Sequence, residues 1–351
     1  GCIAVMRTQA EEVRMGITAA GSRRPRILTV LLLALVTVIV FGLCAACGNV
    51  GPTNSSDSAL RVGFVGVGST EGSHQASLEK KAVAALRAQG MSVDYRVPAS
   101  LDPQQQVIEA NALLSEGISI LVASVHSTNL WTDTMRSFRA DGIPVLLLGR
   151  KPVSVKADVY DAYLGPSFVS VGKKLGAWVS ARAEALRHAK VLRLEAPLDS
   201  QTSSDITDGW KQSLASSVPS LSSDVLVATA HEKTTRTKFS HYLDEASHLP
   251  EVVVAYTAVA ARAVEVELAA RGIETAQEPS SGKVCVLAAG AEQENFGDNL
   301  AARVTWDGDM SEQLARLITQ VQTSTTRVKD HLVTVNGAES KNRHPESKEN
   351  K

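Results

Sequence analysis

Aromatic residues make up only 4% of this 351-residue chain: four Trp, five Tyr and six Phe. So few rings leave little to stack on the flat apolar face of a ligand. Cysteine is scarcer still. Cys2, Cys44 and Cys47 crowd the N-terminal segment, and Cys285 stands alone between Val284 and Val286, where it reads as a small buried hydrophobe. The body therefore has no cysteine pair for a disulfide framework, and no Cys/His spacing resembles a zinc site. Neither sign of charge dominates. With 36 basic and 37 acidic side chains, net −1, the chain has no electrostatic footprint for nucleic acid. It also lacks a Gly-x-Ser-x-Gly nucleophile elbow, a metal-ligand pair and a Gly-rich phosphate fingerprint. Ser203-Ser204-Asp205 with scattered histidines does not replace them, so neither an enzyme nor a cofactor is expected.

What is present begins with an uncharged apolar run over 27–43, preceded by Arg23, Arg24 and Arg26. A basic lead, an apolar stretch and a small-residue exit make an export signal. Cys44-Ala45-Ala46-Cys47-Gly48 then resembles a bacterial lipobox, with Cys44 where an aliphatic residue usually stands. The expectation is a signal segment over 1–47 with lipidation at Cys47; the alternative is an uncleaved membrane anchor. Both put the body outside the cytoplasm, on the outer face of the membrane. Residues 48–59, rich in Gly, Pro, Asn and Ser, read as a flexible tether, and 339–351 as a charged, disordered tail.

From residue 60 the pattern alternates strand and helix. Strands are expected at 61–67, 92–97, 118–124 and 144–148, with helices at 75–88, 103–115 and 130–140 that stop at Gly90, Gly117 and Gly142. The alternation restarts with a helix over 167–188 and continues to a closing strand at 331–335. Two successive βαβ series predict an α/β protein of two similar doubly wound parallel-sheet lobes. Ligands of such sheets sit at the carboxyl ends of the strands. Two facing lobes would enclose a cleft and close by hinge motion.

The segments Val-Gly-Phe-Val-Gly-Val-Gly-Ser (62–69), Ile-Pro-Val-Leu-Leu-Leu-Gly-Arg (143–150) and Gly-Lys-Lys-Leu-Gly-Ala-Trp-Val (172–179) resemble type I periplasmic binding proteins of sugar ABC importers. The similarity is to the ribose- and galactofuranose-binding type. It implies lobe one at 60–165 plus 305–328, lobe two at 166–304 plus 329–338, a three-segment hinge, a carbohydrate ligand and an ABC permease partner. Carried over by position, it implies ligand contacts at Ser69, His74 and Arg150, with Glu71 a further candidate in the same loop as Ser69 and His74. His126 and Tyr256 join as polar or stacking groups at strand ends, and Asp205 and Glu292 lie beside positions that have changed. The departures are specific. Gly149 stands where the family has Asp, Ile206 where it has Arg, and Thr257-Ala258 where it has Asn-Asp; the late Asp-Gly loop reads Ala289-Gly290-Ala291. Each buried sugar hydroxyl left without a partner costs about 1–3 kcal/mol, and charge-assisted bonds meet that need best. A site stripped of such charges implies either a different ligand or a diverged module that acts as a sensor or envelope interaction protein.

Overall fold

The computed structural model describes residues 59–67, 75–99, 101–126, 130–152, 156, 158–196, 201–328 and 330–339. The expected signal, lipidation site, most of the tether and residues 340–351 lie outside the described residues.

The first series runs β1 (Arg61–Val65), α1 (Gln75–Ala88), β2 (Ser92–Arg96), α2 (Pro103–Ser115), β3 (Ile120–Ala123), α3 (Trp131–Ala140), β4 (Val145–Leu148) and β5 (Ala162–Pro166). The second runs α4 (Phe168–Ser180), β6 (Val191–Glu195), α5 (Gln201–Leu214), β7 (Ser223–Val227), α6 (Glu232–Glu245), β8 (Val252–Ala255), α7 (Ala258–Ala270), β9 (Cys285–Ala291) and β10 (Ala302–Trp306). The chain ends with α8 (Ser311–Thr323), β11 (His331–Val333) and β12 (Val335–Glu339). The strands form two six-stranded sheets, ordered β11-β5-β4-β3-β1-β2 and β12-β10-β9-β8-β6-β7. Every ladder is parallel except β10 with β12. The fold is thus α/β with two similar parallel-dominated sheets, as the alternation predicts.

Central strands such as Ile120–Ala123 and Val252–Ala255 are buried at every position, because helices cover both faces of each sheet. Each sheet accordingly has two cores. In the first lobe Phe64, Leu86, Leu146 and Leu314 pack on one face, and Leu113, Trp131, Phe138 and Leu147 on the other. The helix stops lie where glycine predicts them: Gly90, Gly117 and Gly142 take φ of +84°, +72° and +73°.

The chain passes between the sheets three times. It leaves sheet one after Pro166, returns between Trp306 and Ser311, and leaves again at Thr334. The third passage differs from the expected position. Residues 329–338 were expected together in lobe two, but His331–Val333 pairs with β5 in sheet one, and only β12 joins sheet two. Strand periodicity carries no record of which distant strand is the partner, so the boundary is invisible until the pairing is formed. The same limit applies at 305–306, where β10 runs on into sheet two as far as Trp306.

Candidate functional site

The carboxyl ends of both sheets border one region. In lobe one, β1 ends at Gly66 and Val67, β3 at Ser124 to His126, and β4 at Gly149 and Arg150. Two buried polar side chains tie these ends together. Gln106 of α2 is fully buried; its Nε2 donates to the carbonyls of Gly66 (2.9 Å) and Ser124 (2.8 Å), and its Oε1 accepts from the His126 backbone N–H (2.8 Å). Glu79 of α1, also buried, accepts from Val67 N–H (2.9 Å), Gln75 Nε2 (3.1 Å) and Tyr95 Oη (2.8 Å). Burial raises the Glu79 pKa, with those hydrogen bonds pulling the other way. Neither residue stood out in the sequence. Each is an ordinary polar residue on an amphipathic helix, and only the fold shows that it points inward.

Arg150 lies two residues past the end of β4 and is half-buried. Among the described residues no hydrogen bond or ion pair reaches its guanidinium. Burial draws its pKa down, opposed at longer range by Glu294 from lobe two and by Glu79. Its neighbour Lys151 is differently placed. The ammonium donates to Asp330 Oδ2 at 2.8 Å and lies 4.5 Å from the centre of the Tyr163 ring. Burial is the largest single influence and works against the Lys151 charge, but Asp330 and Tyr160 together outweigh it and hold the pKa above the ordinary lysine value.

A cavity of about 230 Å³ opens beside these groups, lined by both lobes. Lys151, Tyr163 and Asp330 face it from lobe one, and Ser167, Phe168, Thr202 and Asp205 from the first turns of α4 and α5. These two helices approach at backbone distance because a Cβ on Gly172 would overlap the Ile206 carbonyl and one on Gly209 the Val169 carbonyl. Their N-termini, which favour acceptor groups, are thereby set side by side. Asp205 accepts from Gln201 Nε2 at 2.7 Å; burial raises its pKa above the usual carboxylate value.

The expected site residues divide accordingly. Ser69, Glu71 and His74 lie outside the described residues. His126, Arg150 and Asp205 stand at the carboxyl ends, with Asp205 in the cavity wall. Tyr256 is 3% exposed within the lobe-two core, its hydroxyl 2.9 Å from Thr207 Oγ1, and burial pushes the phenol up to about 12. Ile206 is fully buried. Glu292 is exposed and accepts from Asn336 Nδ2 at 3.3 Å, while Glu294, two residues on, acts on Arg150 together with Glu79. Among the described residues no group of His, Cys, Asp and Glu could hold a metal ion, and no helix is long and apolar enough to cross a membrane.

The sequence model described as a periplasmic binding protein domain matches residues 62–315. No curated protein matches the chain in sequence. Among solved structures, a Mycobacterium smegmatis protein in complex with β-D-fucofuranose is similar with a TM-score of 0.71 and 17% identity, over 80% of this chain and 91% of that one. A galactofuranose-binding protein follows at 0.69 and 14% identity, over 80% and 94%. The binding component of the arabinose ABC transporter of Shewanella sp. ANA-3, bound to α- and β-L-arabinofuranose, scores 0.65 at 13% identity, over 79% and 91%. At these identities the likeness is one of fold.

Proposed function

Because the chain belongs to the periplasmic binding protein domain family, we propose that it captures one small sugar-like ligand between its lobes and delivers it to an ABC importer. The observation that carries this reading is the cavity shared by both lobes, lined by Lys151, Asp205 and the paired N-termini of α4 and α5. About 230 Å³ is below the usual 300–1,000 Å³ of a drug-sized site and suits a single ring rather than an oligomer. Relatives of the same fold hold furanose sugars, which agrees with a ligand of that size. The carboxylate of Asp205 would accept from ligand hydroxyls and Arg150 would donate to ring or exocyclic oxygens. We further propose that the chain is exported and tethered to the outer face of the membrane through Cys47, since Ala45-Ala46-Cys47 follows a basic and apolar lead.

One experiment with two arms tests this. Titration calorimetry of the purified protein against pentoses, hexoses, their acids, polyols and nucleosides is expected to find binding at micromolar Kd or tighter. Fractionation of cells expressing the full chain is expected to find it with membranes, and the Cys47→Ser variant released from them. Silence across the whole panel would overturn ligand capture. Unchanged membrane association of the variant would overturn the lipid tether.

A second reading, a sensor or envelope interaction module without transport, draws on Ile206 and Tyr256. Ile206 is fully buried where the resemblance places a ligand-contacting arginine, and Tyr256, expected to stack on a ligand at a strand end, is packed in the lobe-two core. It predicts a silent panel together with a retained fold.

A further inference from the structure

Resting on that reading, we propose that the ligand is a deoxy sugar, whose terminal methyl group seats on an apolar wall made by Leu332, Pro166 and Phe168. The described lining of the cavity is two-sided. One side comes from the end of the β5–β11 ladder and the start of α4. Leu332 of β11 lies beside Gly165 of β5, Pro166 ends that strand, and Phe168 and Val169 open α4. The other side comes from α5 and is polar, with Gln201, Thr202 and Asp205. Among the described large apolar side chains Leu332 is the most exposed, at 61%, and the cavity is where that surface faces.

The polar groups interleaved with that apolar side are engaged with the protein itself. Lys151 pairs with Asp330 at 2.8 Å, and Asp330 also accepts from Arg327 Nη2 at 2.9 Å. Tyr163 Oη donates to the Pro166 carbonyl at 2.9 Å, and Ser167 Oγ caps α4 by accepting from the Ser170 N–H at 3.3 Å. What these described residues present to a ligand is chiefly hydrocarbon. A hydroxymethyl group set against it gives up its water without regaining a partner, whereas a methyl group gives up nothing and buries apolar area. The ring hydroxyls of the same ligand turn to Gln201, Thr202 and Asp205. A single ring with one apolar edge therefore matches both sides at once, and the asymmetry fixes its orientation.

The test compares matched pairs by calorimetry: D-fucose with D-galactose, L-fucose with L-galactose, and L-rhamnose with L-mannose, each differing only by methyl against hydroxymethyl. The deoxy member of at least one pair is expected to bind about tenfold or more tightly than its counterpart, an advantage that added salt leaves unchanged. Leu332→Asn is expected to remove most of that preference, and Leu332→Met to keep it. Leu332 lies outside the packed cores, and thermal melts of both variants check that they fold. Equal or tighter binding of the hydroxylated sugars, or a deoxy preference that survives Leu332→Asn, overturns the proposal and leaves sugar capture standing. So does a panel in which only sugars outside these pairs bind. Absence of binding by every pair and by the wider panel overturns both.

Discussion

Gln106 and Glu267 show what a single polar side chain does when the fold closes over it. Gln106 uses its amide to join β1 to β3, so three backbone groups that would otherwise be orphaned at the ligand-facing ends are satisfied. Glu267 on α7 is 7% exposed and gripped by Arg236 Nε and Arg271 Nε, each at 2.8 Å. The hydrogen bond from Arg271, with that from Arg236, outweighs desolvation and lowers its pKa from 4.5 to about 2. A carboxyl whose folded pKa is depressed contributes stability that is complete above its unfolded value and is lost as pH falls through the folded one. Urea midpoints of the protein are therefore expected to drop between about pH 5 and about pH 2, and Glu267→Gln is expected to flatten that dependence. A variant with an unaltered acid limb would show that other carboxylates control it.

At the scale of elements, the pair α4 and α5 is the most demanding contact. Gly172, Gly176 and Gly209 lie where a side chain would strike backbone or a neighbouring residue of the facing helix, so the helices pack main chain to main chain. That closeness places Ser167 and Thr202 on the same cavity wall. Gly209→Ala has to push the Val169 carbonyl aside and is expected to destabilise by about 1–3 kcal/mol or more, with weaker ligand binding because both N-termini move. Gly282→Ala is the control. Its Cβ meets nothing within 4 Å, and only its φ of +73° opposes the change, about 1–2 kcal/mol. Thermal melts and calorimetry of the two variants separate the effects: Gly282→Ala should leave affinity unchanged. Equal affinity in Gly209→Ala would show that the helix contact does not set the cavity.

For the whole molecule, the second passage between lobes is the point both sides hold. Gln293 of lobe two donates to Asp307 Oδ1 (2.7 Å) and accepts from the Gly308 N–H (2.9 Å). From lobe one, Lys81 forms an ion pair with Asp309. A Cβ on Gly308 would stand 2.8 Å from Leu78 Cδ1 and 2.9 Å from Ala291 Cβ, one from each lobe. Leu78 can swing away but Ala291 cannot, so a β-branched residue acts as a wedge. Gly308→Val is expected to hold the lobes apart, enlarging the radius of gyration in X-ray scattering with and without ligand and weakening binding through the lost closed state. Scattering curves identical to those of the parent protein would remove this passage from any role in closure.

The strand–helix alternation, the glycine stops and the doubling of the βαβ series were legible in residues 60–335, because local periodicity is written by neighbours a few positions apart. The place of Arg150 just past a strand end was legible too, since it follows an apolar run closed by Gly149. Which strand pairs with which was not, and so the passage at Thr334 came from the fold. Burial direction was not either. It turned Gln106 and Glu79 into struts of the site and Tyr256 into core, and it brought Glu294, which the sequence does not single out, to act on Arg150. Sequence spacing sets which residues share an element and a face; only tertiary packing decides what that face meets, and with it which charges are left for a ligand to satisfy.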